Sequence, residues 1–180
     1  MVEEYTYLGV LISRDVDMDV MATSRLVKAE KGLAAIRPFL RDQSIPRTAR
    51  VMVFETVVVS SVLYGAESWG MSQKRSSRAQ TLVNRGLRLI IGTREKDTSI
   101  PVGALWRELG VAPFYARAAA ARARAIIKYP SLKTWIGVMM RYPVGSSSTW
   151  SGGAARWLKT QYDPLVTSGQ YGSLVVQEGE

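Results

Sequence analysis

Six cations recur at helical spacing in the middle of this 180-residue chain. Arg78, Arg85 and Arg88 fall on one flank of SSRAQTLVNRGLRLIIG, and Arg117, Arg124 and Lys128 on one flank of FYARAAAARARAIIKY. Guanidinium and ammonium groups spaced this way meet phosphates when the two helices lie side by side, and such contacts position a nucleic acid without reading its sequence. The chemistry is electrostatic grip rather than bond making. The same residues also fit a blander reading, two solvated basic faces that serve only solubility. The distribution of charge favours binding. The net charge is +9 with a pI near 10.0, and residues 44–130 hold fourteen basic against five acidic side chains while both flanks are close to neutral. A localised excess points to a polyanionic partner more strongly than a diffuse one. Tyr115, Trp135 and Trp150 are aromatics that could stack on bases, with core packing as the stronger alternative for each.

Little else in the chain can do chemistry. There is no cysteine and no histidine, which removes disulfides, thiolate nucleophiles, His-ligated metals and the usual proton-transfer side chain near neutral pH. Asp15, Asp17 and Asp19 alternate like the start of a calcium loop, but the required glycine and closing glutamate do not follow, so a turn or helix cap is the better reading. Glu67 and Glu108 are single carboxylates that suit paired structural acids. No phosphate-binding glycine loop and no Gly-x-Ser-x-Gly elbow occur. No cofactor or metal is implied, and the chain is not expected to be an enzyme on its own.

Several helices must position the basic stripes. Val20, Leu26, Val27, Leu33, Ala34 and Ile36 predict a helix over about 20–37, closed by Pro38. Pro46 reads as a second start. The run 51–64 is apolar all round; its β-branched residues suit a strand and its length a helix, and a buried central helix is the choice. Ser76-Ser77 precede an amphipathic helix stopped by Gly92. Thr98 or Ser99 can cap, Pro101 opens VGALWREL, and Gly110 ends it. An Ala-rich helix starts after Pro113 and stops at Pro130. A further helix is plausible over 131–141 and a short one over 154–161. At the other end, YTYLGVLIS at 5–13 predicts a short strand or one arm of a hairpin. The expected fold is mainly α. Residues 1–20 lack a signal-peptide charge pattern, no run reaches membrane-spanning length, and an intracellular setting, nuclear or cytoplasmic, is expected.

The order of segments carries a further signal. YLGVLIS, a basic helix with KAEKGL, SSVLYGAESW, LVNRGLRLIIGTREKDTSI and LWRELGVAPFYARAAAARAR follow one another over residues 5–128. This succession resembles the region downstream of the catalytic core in non-LTR (LINE-type) retrotransposon reverse transcriptases. The resemblance implies a palm-end strand over 1–14 in which Tyr7, Leu8 and Gly9 match the primer-grip element, a helical thumb and connection over 15–130, and a helical and flexible tail over 131–180. It makes the stretch VVVSSVLYGAESWGM at 57–71 a buried thumb helix that ends at the Glu-Ser-Trp unit, with Glu67 and Trp69 packed or paired inside. The family's catalytic aspartate pair has no counterpart here, so its polymerase activity does not carry over. The expected partner is RNA or an RNA–DNA hybrid, gripped through phosphates. The alternative is a structural subunit that clamps RNA or bridges proteins in a ribonucleoprotein, with a protein partner covering residues 5–13 and 51–64.

Overall fold

A computed structural model of the chain describes residues 4–7, 10–13, 18–70, 72–134, 137, 138, 141, 150, 152 and 153. The fold is mainly α, and the chain divides into two compact units, residues 1–122 and residues 123–180. Strands β1 (Glu4–Tyr7) and β2 (Val10–Ser13) form an antiparallel ladder, with Glu4 opposite Ser13 and Tyr7 opposite Val10. The helices are α1 (Met18–Arg41), α2 (Arg47–Phe54), a π-helical turn (Glu55–Val59), α3 (Ser60–Leu63), α4 (Ala66–Trp69), α5 (Gln73–Ile90), α6 (Val102–Leu109) and α7 (Phe114–Lys128), followed by a 3₁₀ turn at Tyr129–Ser131.

The first helix outlasts its expected stop. Pro38 lies inside α1, which continues to Arg41; proline forfeits only its own N–H, while its carbonyl still accepts from the amide of Asp42 at 3.2 Å. The turn into α2 is then fixed by Asp42, whose Oδ1 accepts from the Ser44 amide (2.9 Å) and hydroxyl (2.6 Å).

From Arg47 to Leu63 the chain is helical throughout, as its length suggested, but with a π turn in the middle. Phe54, Val58 and Val62 are fully buried and spaced strictly four apart. In an ideal α-helix of 3.6 residues per turn this stripe rotates by ~40° at each step. A wider turn absorbs the drift and keeps all three on the core face. Hydroxyls along this stretch bond carbonyls one turn back: Thr56 donates to the Met52 carbonyl (2.8 Å), Ser60 to that of Thr56 and Ser61 to that of Val57 (2.6 Å).

Contacts fix the directions of these elements. Arg50 reaches carbonyls at the C-terminal ends of both α1 and α5, Val57 lies against Gly32, and the Arg25 guanidinium sits 4.4 Å from the centre of the Tyr64 ring. The α2 to α3 run is therefore antiparallel to α1. Asp19 pairs with Arg75, Glu30 with Arg85, and Arg37 with Glu95 just beyond α5, so α5 runs parallel to α1. An up, down, up arrangement of three helices results. Its interior holds Leu26, Leu33, Phe54, Val58, Val83 and Leu87, with α6 and the start of α7 closing one side.

Tyr64-Gly65 breaks the central run. Gly65 takes φ 76°, a left-handed conformation available to glycine at little cost, and α4 restarts immediately. The Trp69 side chain is thereby buried and stacks on Phe114, ring centres 5.5 Å apart and planes 21° from parallel. Glu67 beside it is half-buried.

Three sequence expectations are corrected here. The helix expected after Ser76-Ser77 begins at Gln73, because Ser76 is no cap: it is buried, and its hydroxyl donates back to the Gly70 carbonyl. Neither Thr98 nor Ser99 caps α6; Pro101 precedes its first turn, while Asp97 Oδ1 accepts from the Ser99 amide at 2.8 Å to hold the loop. Finally, the apolar surface expected over 51–64 is mostly covered by the chain's own helices, leaving Met52 and Tyr64 exposed at 67% and 48%. Of the suggested helix over 131–141, residues 132–134 form bends after the 3₁₀ turn, 137, 138 and 141 are helical, and 135, 136, 139 and 140 lie outside the described residues; the helix suggested over 154–161 lies wholly outside them.

Candidate nucleic-acid interface

The six cations singled out above have very different surroundings. Arg78 is exposed on α5. Arg85, seven residues on, is occupied: its guanidinium pairs with Glu95 at 2.9 Å and approaches Glu30 at 3.9 Å. Glu95 is itself gripped from the other side by Arg37 at 2.9 Å, with only 16% of its side chain exposed. Glu95 thus locks the loop after α5 between α1 and α5, and Arg85 serves that lock.

Arg88 departs from the expected outer stripe. It is buried, and its Nε has no hydrogen-bond partner. The helical wheel placed it outside, but the C-terminal turn of α5 is covered from every side: Leu87, Leu89 and Ile90 are fully buried with it. Thr93 folds back over this turn, its amide bonding the Arg88 carbonyl at 3.0 Å and its hydroxyl the same oxygen at 3.2 Å.

Arg117 is half-buried and pairs with Glu55, in the π turn. Among the described residues, Arg78 and Arg117 share no ion-pair partner. Arg124 and Lys128 are exposed; they belong to residues 123–180, the second compact unit. There the 3₁₀ turn is held by Ser131, whose hydroxyl donates to the Lys128 carbonyl at 2.7 Å, and Tyr129 stacks on Trp150 with ring centres 5.9 Å apart. Of the primer-grip-like residues, Tyr7 is in β1 opposite Val10, and Leu8 and Gly9 lie outside the described residues. Tyr115 is exposed at 55%, and Trp135 lies outside the described residues.

Around Arg78 the structure gathers cations that sequence reading passed over. Because α5 starts at Gln73, Lys74 and Arg75 stand on its first turn, and Arg78 follows one turn later. With Asp19, Thr23 and Leu26 of α1 they line a cleft of about 170 Å³. Arg75 Nε donates to Asp19 Oδ1 at 2.6 Å. That hydrogen bond, with the charges of Arg75, Lys74 and Arg78, holds the Asp19 carboxyl below the usual aspartate range. Lys74 and Arg78 are exposed and, among the described residues, neither lies within ion-pair distance of a carboxylate. Placing the helix start at Ser76 left Lys74 and Arg75 outside any helix, which is why their spacing with Arg78 was not seen.

Other acidic residues are structural. Glu108, read as a buried paired acid, is paired but exposed, bonding Arg47 at 2.6 Å with 66% of its side chain open. Among the described residues no group of three or more acidic side chains is placed to hold a metal ion, and no helix is long and apolar enough to cross a membrane. Asp15 and Asp17 lie outside the described residues. Compared with protein-family models, with curated proteins and with solved structures, the chain matches none.

Proposed function

We propose that this chain binds the phosphate backbone of a nucleic acid, RNA or an RNA–DNA hybrid, as a thumb-like fragment of a LINE-type reverse transcriptase that lacks the catalytic aspartates. The observation that carries the reading is the cluster of Lys74, Arg75 and Arg78 on the first two turns of α5, facing the cleft against α1, with two of its three cations free of ion pairs among the described residues. It stands within the block that holds the charge excess. Lys28 and Lys31 add exposed cations on α1. Arg85 and Arg117, tied to carboxylates, and Arg88, buried, belong to the scaffold under this reading, and the second unit has exposed cations of its own in Arg124 and Lys128. Contacts of this kind grip without reading base edges.

The test is binding of the purified chain to a labelled RNA–DNA primer–template across a salt series, beside single-stranded RNA and duplex DNA. Removing Lys74 and Arg78 together should flatten the dependence of log K on log salt by about 0.7–0.9 for each lost phosphate contact. Arg85→Gln should leave the slope unchanged. No binding at low salt, or a slope that ignores Lys74 and Arg78, refutes the proposal.

A further inference from the structure

A second site lies at the opposite end of the parallel α1 and α5 helices from the Lys74 cluster. Arg50, on the first turn of α2, is 4% exposed. Its Nη1 donates to the Leu40 carbonyl at 3.2 Å and to the Ile90 carbonyl at 2.7 Å. These are terminal carbonyls of α1 and α5, left without helical partners and at the negative ends of both helix dipoles, so a buried cation there has a clear structural use. That use engages one nitrogen. The Nε is buried without a hydrogen-bond partner, and among the described residues no carboxylate lies within 4.0 Å of this guanidinium. Asp42 feels its charge only at longer range. The two helix ends offset much of its charge, and what remains is one buried donor left unused.

Arg50 also lines a cleft of about 410 Å³ between the C-terminal end of α5 and α6. Ile90, Ile91, Ile100 and Leu105 make its walls apolar. Arg47 stands with Arg50 at this cleft, bonded to the exposed carboxylate of Glu108. Size, apolar walls and a few convergent polar groups are the attributes of a small-molecule site.

We infer that this cleft binds a monocarboxylate with an apolar body, its carboxylate answering Arg50 and displacing Glu108 from Arg47, its hydrocarbon part lying on Ile90, Ile91, Ile100 and Leu105. Two arginines against the single carboxylate of Glu108 favour an anion over a free amine. A bare inorganic anion leaves the apolar walls unused.

The experiment is a titration of the full isotopically labelled chain with hexanoate, hexanol, hexylamine and inorganic phosphate, followed by amide and arginine Nε–H correlation spectra. Hexanoate should saturate, move the Arg50 Nε–H resonance and the amides of Ile91, Ile100 and Leu105, and bind at least about tenfold more tightly than hexanol. Glu108→Gln should tighten binding several-fold by freeing Arg47, and Ala104→Phe, at the wall of the cleft, should abolish it while leaving the helical circular dichroism unchanged. Arg50 itself is avoided as the test variant, since its loss uncaps two helices. Equal affinity for hexanol, equal affinity for phosphate, absence of saturable hexanoate binding, or a folded Ala104→Phe variant that binds hexanoate normally would each overturn the assignment.

Discussion

Gly86 sits in the middle of α5, where alanine is ordinarily favoured by about 1 kcal/mol in a helix interior. Here the outcome should be reversed. A Cβ at this position lies 2.1 Å from Phe54 Cε2, 2.5 Å from Cζ and 2.9 Å from Cδ2. Phe54 is fully buried between the α2 end of the central run and α5, so its ring cannot swing into solvent. Overpacking of this kind costs typically ~1–3 kcal/mol. With propensity deducted, Gly86→Ala should be destabilising by about 1 kcal/mol, lowering the melting temperature by roughly 2–4 °C in a chain of this size. The coupling is the sharper quantity. In a Phe54→Leu background the obstructing ring atoms are gone, and Gly86→Ala should become neutral or favourable, giving an interaction energy of about 1–3 kcal/mol in the double-mutant cycle. Urea unfolding followed by tryptophan fluorescence measures all four corners. If Gly86→Ala stabilises the otherwise unchanged protein, or behaves alike in both backgrounds, the packing of α5 on Phe54 is not as described.

Three further outcomes can be checked on the same protein. Arg50→Met should lower stability by about 3 kcal/mol in urea unfolding, because the Leu40 and Ile90 carbonyls lose a charged donor and each such bond contributes ~1.5–3 kcal/mol; an unchanged midpoint would show that water caps these ends equally well. Glu95→Gln breaks the Arg37 and Arg85 pairs together and should cost about 1–2 kcal/mol, with faster hydrogen exchange in the loop after α5. Asp19 should titrate below the ordinary aspartate range, through its hydrogen bond from Arg75. Since its folded pKa is depressed, the contact stabilises the protein above the unfolded aspartate pKa and is lost as pH falls through the folded one. Carbon-detected NMR titration reads this directly, and Arg75→Gln should move the value back up.

Helix type and most helix ends were legible in the residues. The apolar spacing of α5 and the Pro101 and Gly110 punctuation of α6 are local signals, written within one or two turns of the chain they control. Length settled the identity of 51–63, since a strand of that length would be unusual, but the π turn inside it answers a mismatch between a four-residue apolar repeat and the α-helical period that appears only when Phe54, Val58 and Val62 must face one core.

Charge was determined in amount and neighbourhood by sequence, and in use by tertiary structure. The excess over residues 44–130 is a fact of composition. Which of those cations stay exposed depends on what the rest of the fold places beside them. Glu95 claims Arg85, Glu55 claims Arg117, close packing buries Arg88, and two helix ends claim Arg50, whereas Lys74 and Arg78 are left exposed beside Asp19. A helical wheel reports the angle of a side chain about its own axis, and says nothing of what the neighbouring helix presents at that angle. Periodicity therefore gave the stripe, while packing decided which of its charges are tied into the scaffold and which stay exposed.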